Sequence, residues 1–233
     1  MNPASSVPLI LQCIAALVVM TEGIFLVSWY ARQAERIRPA SSGLIAVFLG
    51  LWFACAFILG DRAHFPLPNE SLRLPLSGLV SFGPFLVALL WAFGSKAGRE
   101  INAAVVPAAL IGVQAYRMAG ILFLFPNYAY GVLAGGFAWP AGVGDFITGL
   151  AAPFVAMAVY RRHKAAMPLA VAWNLFGILD LIVAPTTATL FHVPILAMYP
   201  LSLVPLFVGP PMGILTHVLS LRSLALNRGA LRP

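Results

Sequence analysis

Seven apolar runs, each near twenty residues long, follow one another along the chain with only short polar connections between them. A run of that length crosses the roughly 30 Å hydrocarbon core of a bilayer as an α-helix. Hydrophobic residues make up 61% of the 233 and charged residues 9%, against about 25% charged in ordinary soluble domains. The fold class that follows is all-α, a polytopic transmembrane helix bundle. Its seven spans are placed at about 8–30, 43–60, 75–93, 104–125, 136–159, 168–191 and 195–221. Little sequence remains outside them, so residues 1–233 read as a single integral membrane domain. The alternating segments of about ten residues that a β-barrel needs are missing.

The net charge of +7 does not point to nucleic acid, because its distribution follows the membrane. Eleven of the fourteen basic residues fall in alternate connections and the tail: Arg32, Arg36 and Arg38; Lys96 and Arg99; Arg161, Arg162 and Lys164; Arg222, Arg228 and Arg232. Arg62 and Arg73 mark the other side, and Arg117 is left inside a span. The positive-inside rule then puts the N-terminus outside and the C-terminus in the cytoplasm. No Lys or Arg precedes the first run and no small-residue cleavage site follows a short core, so that run reads as a span and not a signal peptide.

The last span is punctuated by Pro194, Pro200, Pro205 and the Pro210-Pro211 pair, each of which removes a backbone donor. It is expected to be broken by these prolines, with neighbouring protein satisfying the freed carbonyls. The loop Asp61–Glu70 is the longest external connection and is read as a solvated proline-rich turn, with a cover over the outer mouth as the alternative. Trp29, Tyr30, Tyr128, Tyr130, Trp139, Tyr160 and Tyr199 fall near span ends, as an interfacial aromatic belt would. Cys13 and Cys55 lie at similar depth and are expected as small apolar packers rather than a disulfide.

Against this background the polar residues inside the runs stand out. Two stretches, Gly142-Val-Gly-Asp145-Phe-Ile-Thr148-Gly149 and Asn174-Leu-Phe-Gly177-Ile-Leu-Asp180, each carry Gly-x-x-Asp in an apolar run. An acid there costs roughly 2.5–3.5 kcal/mol on insertion scales, which makes it a functional candidate. Counting 1.5 Å per residue puts Asp145, Asp180 and Arg117 about 14, 16 and 12 Å below the outer boundary, one shared level. Gln114 and Thr148 share the faces of Arg117 and Asp145, and Asn174 lies on the cytoplasmic side of Asp180. Glu22 and His217, counted closer to the cytoplasm, are expected to form a second polar level. One Arg and two Asp leave an excess negative charge, so a proton or a cation must balance the site.

Several chemistries fall away. Lys96 and Lys164 are both in loops, which removes a retinal Schiff base. His217 is the lone histidine well inside a span, so a zinc site with three or four protein ligands is not expected. The pairs His64/His192 and His163/His217 are read as loop and span-end residues rather than haem ligands. No phosphate-binding Gly-rich loop and no serine nucleophile motif occurs. No cofactor, no metal and no nucleic-acid partner is expected.

Phe137-Ala-Trp-Pro140-Ala-Gly142-Val-Gly144-Asp145, Trp173-Asn174-Leu-Phe-Gly177-Ile-Leu-Asp180-Leu, His217-Val-Leu-Ser220-Leu and Arg117-Met-Ala-Gly120 resemble a group of uncharacterised bacterial integral membrane proteins over residues 105–224. The resemblance implies a bacterial inner-membrane location and no particular activity. The residues themselves favour a proton- or cation-linked carrier of a small polar or anionic solute, built on Gln114, Arg117, Asp145, Thr148, Asn174 and Asp180. The competing readings are a membrane-embedded redox or lipid-binding enzyme using quinone or haem, and a structural accessory subunit. The bilayer is the expected partner, with a homo-oligomer or partner subunit left open.

Overall fold

The computed structural model describes residues 9–125, 131 and 133–229; Tyr128, Tyr130 and Arg232 lie outside them. Helix α1 runs over Leu9–Ile37, and Pro39 starts α2, Pro39–Gly60. A 3-10 turn at Glu70–Leu72 leads into α3, Arg73–Gly94, followed by the short α4, Lys96–Ala104. Then come α5, Pro107–Gly112, a 3-10 helix over Val113–Phe123, α6, Gly135–Tyr160, and α7, Ala166–Leu190. The C-terminal arm is a 3-10 turn at Ile195–Ala197, a π-helical turn at Val204–Val208 and α8, Pro210–Leu226.

Among the described residues, six helices are long and apolar enough to cross a membrane: Leu9–Ile37, Pro39–Gly60, Glu70–Gly94, Gly135–Tyr160, Ala166–Leu190 and Val204–Leu226. The pair Lys96–Ala104 and Pro107–Phe123 makes a seventh if counted as one span, but it is bent by 87°. The exposure pattern is that of a bundle in lipid. Leu9, Leu74, Leu90 and Phe154 face outward, whereas Gln114, Thr148, Asn174, His217 and Ser223 are fully buried. The arm Val204–Leu226 is the most enclosed, with 72% of its apolar window buried. It runs through the middle and packs on α3, α4, α5 and α7.

Two sequence expectations change here. The fourth run is not one straight helix over 104–125. Pro107 cannot donate to the preceding turn and pushes Val106 to extended backbone (ψ 127°), so the chain turns there. After α5 the backbone tightens to 3-10 for eleven residues. At about 2.0 Å per residue this stretch gains length, so seventeen residues cover about 31 Å instead of the 25 Å of an α-helix. The cysteines are also not internal packers: Cys13 and Cys55 are both free and exposed on outward faces. Of the expected belt, Trp139 and Tyr160 are exposed, but Tyr30 turns inward and its hydroxyl meets Thr216 Oγ1 at 2.5 Å.

The prolines break the last arm at Gly209, with Pro210 and Pro211 opening α8. The break frees carbonyls that would otherwise receive backbone N–H groups, and three different elements supply side-chain donors instead. Ser81 Oγ of α3 donates to Pro205 O at 2.7 Å, Trp52 Nε1 of α2 to Leu206 O at 3.2 Å, and the Tyr116 hydroxyl to Val208 O at 2.8 Å. The arm is irregular only where protein meets its polar backbone, the condition for irregular backbone at membrane depth. Trp52→Phe and Tyr116→Phe each strand one carbonyl. Each is expected to destabilise the protein by about 1–3 kcal/mol in a detergent unfolding titration, whereas Trp139→Phe, on the exposed face, leaves the midpoint unchanged.

Candidate functional site

A 3-10 helix repeats every three residues, so side chains at i and i+3 eclipse. In Val113–Phe123 this aligns Gln114, Arg117, Gly120 and Phe123 in one buried column. Met118 and Ile121 are on the exposed side. An α-helix would rotate these four residues progressively off one face; the tighter helix keeps them all pointing inward.

Arg117 is the centre of the column and is 97% buried. Its Nε donates to Asp145 Oδ1 on α6 at 2.7 Å, and Nη2 lies 2.6 Å from the same oxygen. Nη2 also donates to Asp180 Oδ2 on α7 at 2.5 Å. Nη1 meets His217 Nε2 on α8 at 2.9 Å. A guanidinium can only donate, so Nε2 accepts and His217 carries its proton on Nδ1. That proton points at Asn174 Oδ1, 2.9 Å away, while Asn174 Nδ2 donates to Ala170 O at 2.8 Å. One guanidinium thereby joins four elements of the bundle. The two carboxyl groups also lie within hydrogen-bonding reach of each other. A bond between them requires a proton on one, since carboxylates only accept.

Three of the cluster's side chains, those of Asp180, Asp145 and His217, sit over glycines. A Cβ on Gly144 would fall 1.7 Å from Asp180 Oδ1, one on Gly120 would fall 2.2 Å from Asp145 Cβ, and one on Gly177 would fall 2.3 Å from His217 Nε2. A fourth, Gly149, brings α6 against the 3-10 backbone, where a Cβ would lie 2.3 Å from Met118 N. The close approach of helices through small residues is how membrane bundles pack polar groups.

Arg117, Asp145, Asp180 and Asn174 therefore meet in one network with His217. The other two candidates of that level stand beside it. The Gln114 amide donates to Gly213 O at 3.1 Å, with its Oε1 buried and without a partner. The Thr148 hydroxyl donates to Gly144 O within its own helix at 2.8 Å. The second level expected for Glu22 and His217 does not form separately. Residues 198–202 form a bend and turns that add little depth, so His217 lies about 20 Å along an arm that starts at Val204, not at the far end. Glu22, half-buried on α1, faces Arg117, Tyr116 and Asp145 across a cavity of about 40 Å³, enough for water. Trp173 was not foreseen: its ring lies 4.9 Å from His217, and its Nε1 donates to Thr148 O at 3.1 Å.

At the end of the bundle that carries Arg62, Glu70 and Arg73, a cleft of about 570 Å³ lies between α3 and the α6–α7 pair. Arg62, Glu70 and Arg73 stand on its rim, and Leu74, Phe82, Phe137 and Leu181 form much of its wall. The rim is ordered: Glu70 bonds Arg62 at 2.5 Å and Arg73 at 2.8 Å, and Arg73 Nη1 reaches back to Leu59 O. Asp145 lines this cleft as well as the small cavity beside Glu22. Its side chain is 14% exposed, against 2% for Arg117 and 7% for Asp180.

Gly144→Ala and Gly177→Ala are expected to push Asp180 and His217 off Arg117 and to lower stability by about 1–3 kcal/mol. Gly50→Ala, where a Cβ meets nothing within 4 Å, serves as the neutral comparison in the same unfolding titration.

With that geometry in place, comparison with protein families shows that the chain belongs to the family described as a domain of unknown function (DUF8737), which matches residues 74–225. The match takes in α3 to α8 and every member of the Arg117 network. Neither the curated proteins nor the solved structures compared with the chain give a match.

Proposed function

We propose that this member of the family is a proton-linked carrier of the bacterial inner membrane. Seven spans cross with the N-terminus outside and the C-terminus in the cytoplasm, the fourth being the bent pair that ends in the 3-10 helix. The observation that carries this reading is the position of Asp145. It is the charged residue shared by the outer cleft and the inner cavity, and it belongs to a carboxyl pair that holds one more negative charge than Arg117 neutralises.

In this mechanism the proton resides on the Asp145–Asp180 pair while the guanidinium keeps both carboxyls in register. Two like charges in one low-dielectric site cannot both ionise easily, so one proton is retained until something else balances the charge. A solute that brings a positive or hydrogen-donating group down the cleft to Asp145 does this, and the proton leaves toward Glu22 through the small cavity. Four of the five N–H donors of Arg117 are taken by Asp145, Asp180 and His217, so it holds the site together rather than receiving an anion. The walls of the cleft are mainly apolar, which favours an amphipathic solute over the purely polar or anionic one expected from the residues alone.

The test uses proteoliposomes loaded with pyranine and challenged with a panel of small amphipathic amines. Wild-type protein is expected to give amine-dependent alkalinisation or acidification of the lumen under an imposed solute gradient. Asp145→Asn should abolish that response while retaining the wild-type elution profile, and Asp180→Asn should reduce it at least tenfold. Solute-driven proton movement that persists unchanged in both variants would rule out the carboxyl pair as the proton site.

A further inference from the structure

A second cavity, of about 260 Å³, lies at the opposite end of the bundle, the end that carries Arg32, Arg36, Lys96 and Arg99. It is bounded by α1, α2, α3, α4 and α8, and Trp29, Phe48, Trp91 and Leu215 supply much of its surface. Leu44 of α2 and Val87 of α3 also line it and are 61% and 53% exposed. The cavity is thus reached laterally, between α2 and α3, from where lipid chains lie.

Tyr30, Gln33 and Asn102 are the polar residues of its lining, and of these Asn102 carries a buried side-chain atom with no partner. Asn102 is 96% buried and its Nδ2 donates to Leu219 O at 3.2 Å, which fixes the orientation of the amide. Oδ1 is left buried and unbonded. The side chain is held there by its helix. Ser95 caps α4 by accepting from Gly98 N at 2.9 Å. Gly98 lets α4 pack on the end of α3, where a Cβ would fall 2.4 Å from Trp91 O. An unmet buried acceptor is destabilising, and an apolar cavity with a few convergent polar groups is the form small-molecule sites take.

We propose that this cavity binds a lipid-soluble molecule with an apolar body and one hydroxyl group, whose O–H donates to Asn102 Oδ1. The apolar walls and the opening between α2 and α3 select a ligand that partitions into the membrane. The orphaned acceptor selects an alcohol or phenol over an alkane, ether or ester. No charged side chain lines the cavity, so a charged head group has no counter-ion there. The inference rests on α4 and its neighbours and is independent of the Asp145 proton site.

Trp29 and Trp91 line the cavity, so their fluorescence reports on it. Purified protein in detergent is titrated with undecanol carrying a terminal bromine as quencher, and in parallel with its methyl ether, which lacks the donor. Wild type is expected to show saturable quenching by the alcohol, with the ether about tenfold weaker, the value of one hydrogen bond of about 1.4 kcal/mol. Ala88→Phe fills the cavity and should remove the saturable component without changing the elution profile. Asn102→Leu should bring the alcohol down to the affinity of the ether; if that variant does not fold, the alcohol–ether pair on wild type still decides. Equal quenching by alcohol and ether, or saturable quenching that survives Ala88→Phe, would overturn the proposal.

Discussion

A guanidinium buried in a bundle whose outer surface is apolar must have its donors met by protein, and Arg117 sets the form of half the molecule for that reason. Breaking a buried charge pair by removing one partner costs about 3–5 kcal/mol, because the other charge is left uncompensated. The acceptors for Arg117 come from α6, α7 and α8, so these three helices must approach the 3-10 column closely. Gly144, Gly120, Gly177 and Gly149 permit that approach. Phe123 packs edge-on against Phe137 at 5.8 Å toward the outer end of the same column. The 3-10 conformation belongs to the same requirement, since it is what holds Gln114, Arg117, Gly120 and Phe123 in line.

The broken C-terminal arm solves a second form of the same problem. Val204–Val208 runs through the middle of the bundle, where a proline-interrupted backbone would expose carbonyls to hydrocarbon. Ser81, Trp52 and Tyr116 reach it from α3, α2 and the 3-10 helix, and Ser202 just before it donates to Gly60 O at 3.0 Å. The arm is thereby tied to α1–α3 through its π-helical turn and to α6–α7 through His217. Tyr116 and Arg117, adjacent in sequence, serve the two ties separately because successive residues of a 3-10 helix point about 120° apart.

The apolar runs made the helical membrane architecture legible from residues alone, since length and hydropathy are all that test requires. Arg117, Asp145 and Asp180 were equally visible, because a charge inside such a run is costly and rare. What was not legible depended on backbone conformation. The period-three spacing of Gln114, Arg117, Gly120 and Phe123 was present in the sequence, but a 3-10 helix of eleven residues is rare enough that an α-helical count was the natural one. That count made His217 look remote from Arg117 by treating residues 198–202, a bend and turns, as helical rise. Trp52, Ser81, Tyr116 and Trp173 were missed for a related reason: each bonds a backbone carbonyl, and backbone acceptors leave no trace in the identity of a residue.

These ties constrain how the protein could change shape. Between α3 and α7 lies the cleft of about 570 Å³, and no hydrogen bond or ion pair among the described residues joins those two helices directly. The α6–α7–α8 side is held by the Arg117 network, and α3 is held to the C-terminal arm at Ser81. A motion that closes the cleft therefore has one natural axis, the broken segment around Gly209. There the π-helical turn, with its side-chain donors, meets the regular helix α8. Because Asp145 lines the cleft and Asp180 does not, such a motion acts on the carboxyl of Asp145 first.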